Sequence, residues 1–137
     1  MKRVYKIAGL LLGLTAMLAA LPAYRFYIEA RKSLSEDPAV YAEDVAVLVA
    51  RAQEGPLPKD AVVFIGSSSI RFWSTLERDM QPLPVIQHGF GGAKLADIEF
   101  YAERLVNPFA PQAVVVFAGT NDLQPHASKL PEVLLKT

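Results

Sequence analysis

Three short apolar runs, each bounded by turn-forming residues, limit the folds open to this chain. They are residues 61–65 (AVVFI), residues 84–86 (PVI), which can extend to His88, and residues 113–117 (AVVVF). The first and third runs do not alternate with polar residues and are rich in β-branched side chains. Runs of this kind are typical of parallel strands that are covered on both faces.

Helical patterns lie before and between these runs. Asp37-Pro38 is a typical helix start, with Asp as the N-cap and Pro at the first helical position, and Asn107-Pro108 is a typical helix end. The predicted apolar stripes are Tyr41, Val45, Leu48 and Ala52; Ile70, Trp73 and Leu76; and Leu95, Ile98, Ala102 and Leu105. The resulting β-α-β-α-β order predicts an α/β domain with helices on both faces of a parallel sheet. Since open sheets usually have more than three strands, we expect an incomplete sheet, the front part of a larger domain.

The amino-terminal part of the chain is different in character. Residues 7–24 (IAGLLLGLTAMLAALPAY) carry no charge, and as a helix they would reach ~27 Å, close to the thickness of a bilayer's hydrocarbon core. Lys2, Arg3 and Lys6 precede them, so a cleaved signal peptide is the competing interpretation, although Leu21-Pro22-Ala23 is a poor cleavage pattern. We therefore expect residues 1–33 to be a membrane anchor or signal segment and residues 34–137 to be a domain on the extracytoplasmic side.

Charge and composition narrow the function. From Ser33 onward the chain has 8 basic and 13 acidic residues, a net charge of −5. A domain of that sign repels phosphate backbones, which argues against nucleic-acid binding. The chain has no cysteine, so thiolate catalysis, disulfides and cysteine metal sites are excluded.

Small and polar residues follow each predicted strand, at the edge where open parallel sheets bind ligands. The three segments are residues 66–69 (GSSS), residues 87–93 (QHGFGGA) and residues 118–122 (AGTND). Taken singly, each has an ordinary structural explanation: a serine N-cap or anion site, a tight turn and an Asx turn. Together, however, they place a serine hydroxyl, a glycine-rich backbone and an asparagine amide at one edge.

This combination resembles the SGNH, or GDSL-like, hydrolase superfamily of esterases and acylhydrolases. Residues 64–73 (FIGSSSIRFW) are similar to a subgroup whose first block reads Gly-Ser-Ser-Ser-Ile-Arg, and the resemblance covers roughly residues 37–123. It implies a three-layer, flavodoxin-like sheet in which the first strand lies between the other two. It also implies an acyl ester substrate, which can be a small molecule, a carbohydrate ester or a lipid, and no metal or organic cofactor.

Carried over to this chain, the resemblance makes Ser68 the nucleophile. It makes the Gly92 N–H and the Asn121 side-chain amide the donors to the oxyanion that forms on the ester carbonyl oxygen. Ser67 stands where many relatives have Asp, and Gln87-His88 stands where relatives often have Asn-Arg. Preformed oxyanion donors contribute ~2.7–4 kcal/mol each in other enzymes.

The general base is the main departure from the family pattern. Relatives supply a histidine in an Asp-x-x-His motif after the last strand, and this chain has no such motif. His126 follows Asp122 by four residues rather than three, and we interpret His88 as a surface or loop-packing residue. The leading hypothesis is a membrane-anchored or exported serine ester hydrolase. The alternatives are a truncated, catalytically silent product or binding module, and a membrane-tethered scaffold.

Overall fold

The structure is a computed structural model that describes residues 2–123, without the side chains of residues 2–14, 16 and 19. The chain forms two compact units, Met1–Arg31 and Lys32–Thr137. Helix α1, Lys2–Leu34, makes up the first unit and reaches the start of the second. Ten side chains of the predicted anchor at residues 7–24 lie outside the described part, so the anchor stays a prediction.

Among the described residues, the structure contains no helix whose length and apolar character suffice to cross a membrane.

The second unit is built on a three-stranded parallel sheet. Its strands are β1, Val62–Gly66, β2, Val85–Gly89, and β3, Ala113–Phe117. Their order is β2-β1-β3, so the first strand is central, and their register aligns all three carboxyl ends at one edge. The predicted parallel α/β architecture is confirmed, as is the central place of the first strand.

Helices pack on β1 and β2. In chain order they are a 3-10 turn Pro38–Tyr41, α2 Ala42–Ala52, α3 Ser68–Arg71, α4 Leu76–Asp79, α5 Leu95–Val106, and the 3-10 turns Asn107–Phe109 and Thr120–Leu123. Asp37 is the N-cap that the sequence predicts, because its carboxylate accepts the Ala39 N–H at 2.9 Å. The first turn that follows is nevertheless 3-10, and α2 begins only at Ala42.

The core has two parts, one on each face of the sheet. On one face, α2 and α5 pack against inward-pointing residues of the strands. The buried members of that cluster include Tyr41, Val45, Val63, Ile65, Phe90, Ile98, Tyr101 and Leu105. The opposite face is smaller and consists of Val62, Phe64, Ile70 and Leu76. These two clusters hold the strand ends at which the candidate site lies.

The segment after β1 differs from its prediction. Instead of one helix carrying Ile70, Trp73 and Leu76 on a stripe, the chain makes two single turns, α3 and α4. Ile70 and Leu76 are buried, but Trp73 is 37% exposed, so the expectation that it belongs to the core is wrong. Trp73 packs edge-on against Phe64, while its indole N–H turns outward to Asp79.

Two further expectations are corrected. All five residues of β3 are exposed, because β3 is an edge strand and no described element covers its faces. His88 is not a surface or loop residue, because it belongs to β2 and is fully buried. Its ring packs against Phe109, with the two ring centroids 5.0 Å apart.

Candidate active site

The carboxyl ends of the three strands are joined by main-chain hydrogen bonds. Gly66, the last residue of β1, stands opposite both Gly89 and Phe117. Just beyond it, the Ser67 N–H donates to the Phe117 carbonyl at 3.2 Å, and the Phe90 N–H donates to the Gly66 carbonyl at 3.1 Å. The segment after β1 is therefore held between the segments that follow β2 and β3.

Side chains after β3 make the third connection. The Asn121 amide donates to the Ala93 carbonyl at 2.8 Å, and the Asp122 carboxylate accepts the Leu95 N–H at 2.9 Å. Because β2 and β3 lie on opposite sides of β1, these bonds must cross the carboxyl end of β1. The three strand-end segments are thus linked pairwise around that end.

Ser68 lies within this arrangement as the first residue of α3. Its side chain is half-buried, whereas Ser67 is buried and Ser69 is exposed. Of the three serines, Ser68 therefore combines partial shelter with access from solvent. Since α3 has only four residues, its peptide dipoles sum to much less than those of a long helix, and little stabilisation of an anion is expected from them.

The turn that carries Ser68 is fastened to β2. The Gln87 side-chain amide donates to the carbonyls of Ile70, at 2.5 Å, and Trp73, at 3.0 Å. At Gly89 the backbone of α3 comes so close that an added Cβ would lie 2.2 Å from the Arg71 nitrogen. Glycine at that position is what allows α3 to rest on the end of β2.

Gly92 has a backbone conformation that favours glycine. Its φ is +77°, in the left-handed region that L side chains rarely adopt. An added Cβ would also lie 2.8 Å from the Ser33 Cβ and 3.2 Å from the Tyr41 hydroxyl. The glycine-rich loop between β2 and α5, residues 90–94, is therefore backed by Ser33 in the last turn of α1 and by Tyr41.

Asn121 belongs to the 3-10 turn after β3 and is half-buried. Its side-chain nitrogen carries two N–H bonds. One of them donates to the Ala93 carbonyl, and the other has no partner among the described residues. The amide can thus brace the glycine-rich loop and still offer a hydrogen bond to a ligand at the strand ends.

His88 is not placed to act as a base for Ser68. It is fully buried, its Nδ1 lies 2.8 Å from the Leu105 carbonyl, and its Nε2 has no hydrogen-bond partner among the described residues. Because a carbonyl only accepts, Nδ1 must carry the proton. Burial lowers the pKa of His88 below 6.5, which keeps the ring neutral. The other candidate, His126, lies outside the described residues.

The amino terminus of α5 is fixed by carboxylates. Asp97 accepts the Lys94 N–H at 2.8 Å, and Asp122 accepts the next N–H, that of Leu95. Asp97 is almost fully buried, and this burial raises its pKa, an effect that the Lys94 N–H and charge oppose. Within residues 2–123, no group of three or more histidine, aspartate or glutamate side chains is arranged to hold a metal ion.

A cavity of about 280 Å³ adjoins the end of β2. Phe90, which begins the glycine-rich loop, and Arg71, which ends α3, form part of its wall. Charged residues of α2 complete it, among them Glu43 and Arg51. A cavity of this size is slightly smaller than the pockets that hold drug-sized ligands, so it suits a small polar group.

Two contributors to the site were missed in the sequence. Asp122 stands beside Asn121 in the Gly-x-Asn-Asp segment, so a role for it was open to prediction, but its bond to Leu95 was not. Gln87 was noted only as a departure from the family pattern, whereas its amide fastens the Ser68 turn. No local pattern identifies either contact, since each joins residues distant in sequence.

Comparison with protein-family models and with curated proteins finds no match to this chain.

Proposed function

We propose that this chain carries the nucleophile and oxyanion donors of an SGNH-type serine ester hydrolase. The observation that supports the proposal best is the pairwise linkage of the three strand-end segments around the end of β1. It brings together the segments that hold Ser68, Gly92 and Asn121. These segments belong to three different parts of the sequence.

In the proposed reaction, Ser68 Oγ attacks the ester carbonyl carbon and its proton passes to a general base. Negative charge moves to the carbonyl oxygen, where the Gly92 N–H and the free N–H of the Asn121 amide donate to it. The protonated base then gives that proton to the ester's alkoxide oxygen, the bond from the carbonyl carbon to this oxygen breaks, and the alcohol departs, leaving an acyl group on Ser68. Water then attacks that group, and the acid is released with the serine restored.

The general base lies outside residues 2–123 in this proposal, because His88 is buried on the α5 side of the sheet. A chain without a base in reach of Ser68 hydrolyses esters slowly or not at all, although binding and oxyanion donors alone can leave ~10³–10⁴-fold catalysis over water. If no base is present, the alternative is a silent product or binding module that keeps the same crevice.

The charged lining of the cavity next to the end of β2 favours a substrate with a polar substituent. Arg51, Arg71 and Glu43 line it, so charged groups surround a space of about 280 Å³. Val47, Leu48 and Phe90 add apolar surface to the wall, and its charged groups offer donors and acceptors to the hydroxyl groups of a carbohydrate or polar alcohol. We therefore favour an acyl ester of a polar alcohol, held with its carbonyl at Ser68.

The test is covalent labelling combined with hydrolysis. The full chain and its Ser68→Ala and Ser69→Ala variants are incubated with a fluorophosphonate, and intact mass and peptide mapping locate the adduct. Ester hydrolysis is followed with p-nitrophenyl acetate, and His126→Ala is included to test His126 as the base. We expect labelling and turnover to depend on Ser68 and not on Ser69, which is an exposed neighbour and a matched control.

Equal hydrolysis by the parent and Ser68→Ala would contradict the nucleophile assignment. A folded chain that neither reacts with the fluorophosphonate nor turns over ester would favour the silent product or binding module. Turnover abolished by both Ser68→Ala and His126→Ala would identify His126 as the base.

We further propose that residues 7–24 anchor the domain to a membrane or direct its export, with the domain on the extracytoplasmic side. Their uncharged composition and the basic residues before them support this. Alkaline extraction of membranes from expressing cells distinguishes the two, since an anchored chain stays in the pellet. An amino-terminal sequence beginning near residue 24 in a released protein would indicate a cleaved signal instead.

A further inference from the structure

The glycine-rich loop rests on a segment that spans the predicted boundary, at residue 33, between the anchor segment and the domain. Residues 32–36 cover the last turn of α1 and the loop after it, and they belong to the same compact unit as the sheet. Ser33 lies close to Gly92, because a Cβ added at Gly92 would be 2.8 Å from the Cβ of Ser33. Any shift of residues 32–36 therefore changes the packing of Ser33 against Gly92.

Lys94 ties the loop to that segment. Its ammonium donates to the Ser35 carbonyl at 2.9 Å and to the Glu36 carboxylate at 2.7 Å. The Lys94 side chain is 14% exposed and that of Glu36 is 84% exposed. Because an exposed ion pair is worth little, the sheltered bond to the Ser35 carbonyl is the important one.

The other end of Lys94 is equally fixed. Its main-chain N–H donates to the buried Asp97, in the first turn of α5. Lys94 therefore links the first turn of α5 to Ser35 and Glu36. Gly92, two residues before Lys94, packs against Ser33 of the same segment. Lys32 fastens the segment from its other side, since its ammonium pairs with Asp44 of α2 at 2.5 Å.

On the basis of the proposed ester hydrolase, we propose that Lys94 is a positioning residue for the Gly92 N–H, which it aligns by holding residues 33–36 behind the glycine-rich loop. Residues 33–36 then contribute to the geometry of the site, in addition to connecting the apolar helix to the domain. Loss of the Lys94 bonds to Ser35 and Glu36 displaces the Gly92 N–H from the oxyanion of the transition state, with little effect on substrate binding in the ground state.

The experiment uses the full chain with Lys94→Met, Lys94→Arg and Lys59→Met. Lys59 is exposed and precedes β1, at the opposite end of the sheet, so it is a matched control for loss of one lysine. Two quantities are measured: amide hydrogen exchange at Phe90, whose N–H donates to the Gly66 carbonyl at the start of the glycine-rich loop, and kcat and KM for p-nitrophenyl acetate hydrolysis.

We expect Lys94→Met to raise exchange at Phe90 about tenfold, because the loop opens locally more often. We expect kcat to fall about tenfold, less than when an oxyanion donor is deleted, with KM within about twofold. Lys94→Arg, whose guanidinium can still reach the Ser35 carbonyl, should restore most of both values. Lys59→Met should resemble the parent.

Unchanged exchange and unchanged kcat in Lys94→Met would overturn the inference, while the Ser68 dependence of hydrolysis would remain intact. If Ser68→Ala hydrolyses as fast as the parent, the hydrolase proposal fails, and exchange at Phe90 alone decides whether Lys94 holds the loop. Should Lys94→Met fail to fold, Lys94→Gln, which shortens the side chain and removes its charge, is judged by the same criteria.

Discussion

The side-chain amide of Asn121 donates a 2.8 Å hydrogen bond to the main-chain carbonyl of Ala93, across the carboxyl end of the central strand β1. This bond connects the segments that follow the two outer strands, which have no contact through the sheet ladder. It therefore holds the segment after β3 against the glycine-rich loop, which carries the other proposed oxyanion donor, Gly92.

Asn121→Ala removes a proposed oxyanion donor and the bond to Ala93 together. We expect kcat for ester hydrolysis to fall ~10²–10³-fold, the effect of deleting such a donor elsewhere. Asn107→Ala is the matched control, because Asn107 is exposed at the far end of α5. A full rate in Asn121→Ala, measured under saturating substrate, would remove Asn121 from the mechanism.

Gly92→Ala and Gly55→Ala separate backbone strain from steric contact. Both glycines have φ in the left-handed region, +77° and +94°, but only Gly92 has atoms close to an added Cβ. We expect Gly55→Ala to cost about 1–2 kcal/mol of unfolding free energy from strain. Gly92→Ala should cost about 1–3 kcal/mol more, from overlap with Ser33. Urea unfolding of both variants measures the difference, and equal costs would contradict the packing of residue 33 on the loop.

The buried His88 predicts a loss of stability on acidification. Because burial lowers its pKa in the folded state below 6.5, the unfolded chain binds the proton more readily. Its contribution to stability is therefore complete above pH 6.5 and is lost as the pH falls from 6.5 through the folded-state pKa. His88→Gln should flatten this part of the curve of unfolding free energy between pH 8 and 5. Parallel curves for the variant and the parent would contradict the assignment.

Asp79 and Trp73 offer an optical test of the turn after the Ser68 segment. The Asp79 carboxylate accepts the indole N–H of Trp73 at 2.8 Å and the Thr75 hydroxyl at 2.5 Å. These bonds lower the pKa of Asp79 to about 2, and the bond from Thr75 has the largest effect. Trp73 is the only tryptophan, so the fluorescence of the chain should change with a midpoint near that pH. The contribution of these bonds to stability is complete above pH 3.8 and is lost as the pH falls through the folded-state pKa of about 2. The transition should be absent in Asp79→Asn, with circular dichroism monitoring global unfolding.

The exposed strand β3 predicts self-association. Its apolar side chains and outer edge are open in the described part of the chain, which favours pairing with another strand. Val115→Lys should reduce aggregation in light scattering and change unfolding free energy by no more than about 0.5 kcal/mol. Val63→Lys, at the fully buried centre of β1, should cost about 3 kcal/mol or more. Unaltered aggregation of Val115→Lys, measured under the same conditions as the parent, would contradict this role of β3.

Local pattern was enough to predict the framework of the domain. Val62 to Gly66 form a strand because a run of β-branched and aromatic residues fits a covered sheet, and Ile98 and Leu105 are buried because they share one face of a helix. Such signals arise within a few residues of one another. The strand-end positions of Ser68, Gly92 and Asn121 also follow from that order, because parallel strands present their carboxyl ends at one edge.

Tertiary structure alone decided the contacts between distant residues. Trp73 is exposed because Asp79, six residues on, holds its indole outward and the chain turns before a longer helix can form. Lys94 reaches Ser35 across 59 residues, and Asn121 reaches Ala93 across 28. Side-chain hydrogen bonds of this range have no periodicity to reveal them, because they depend on which surfaces the packed sheet brings together.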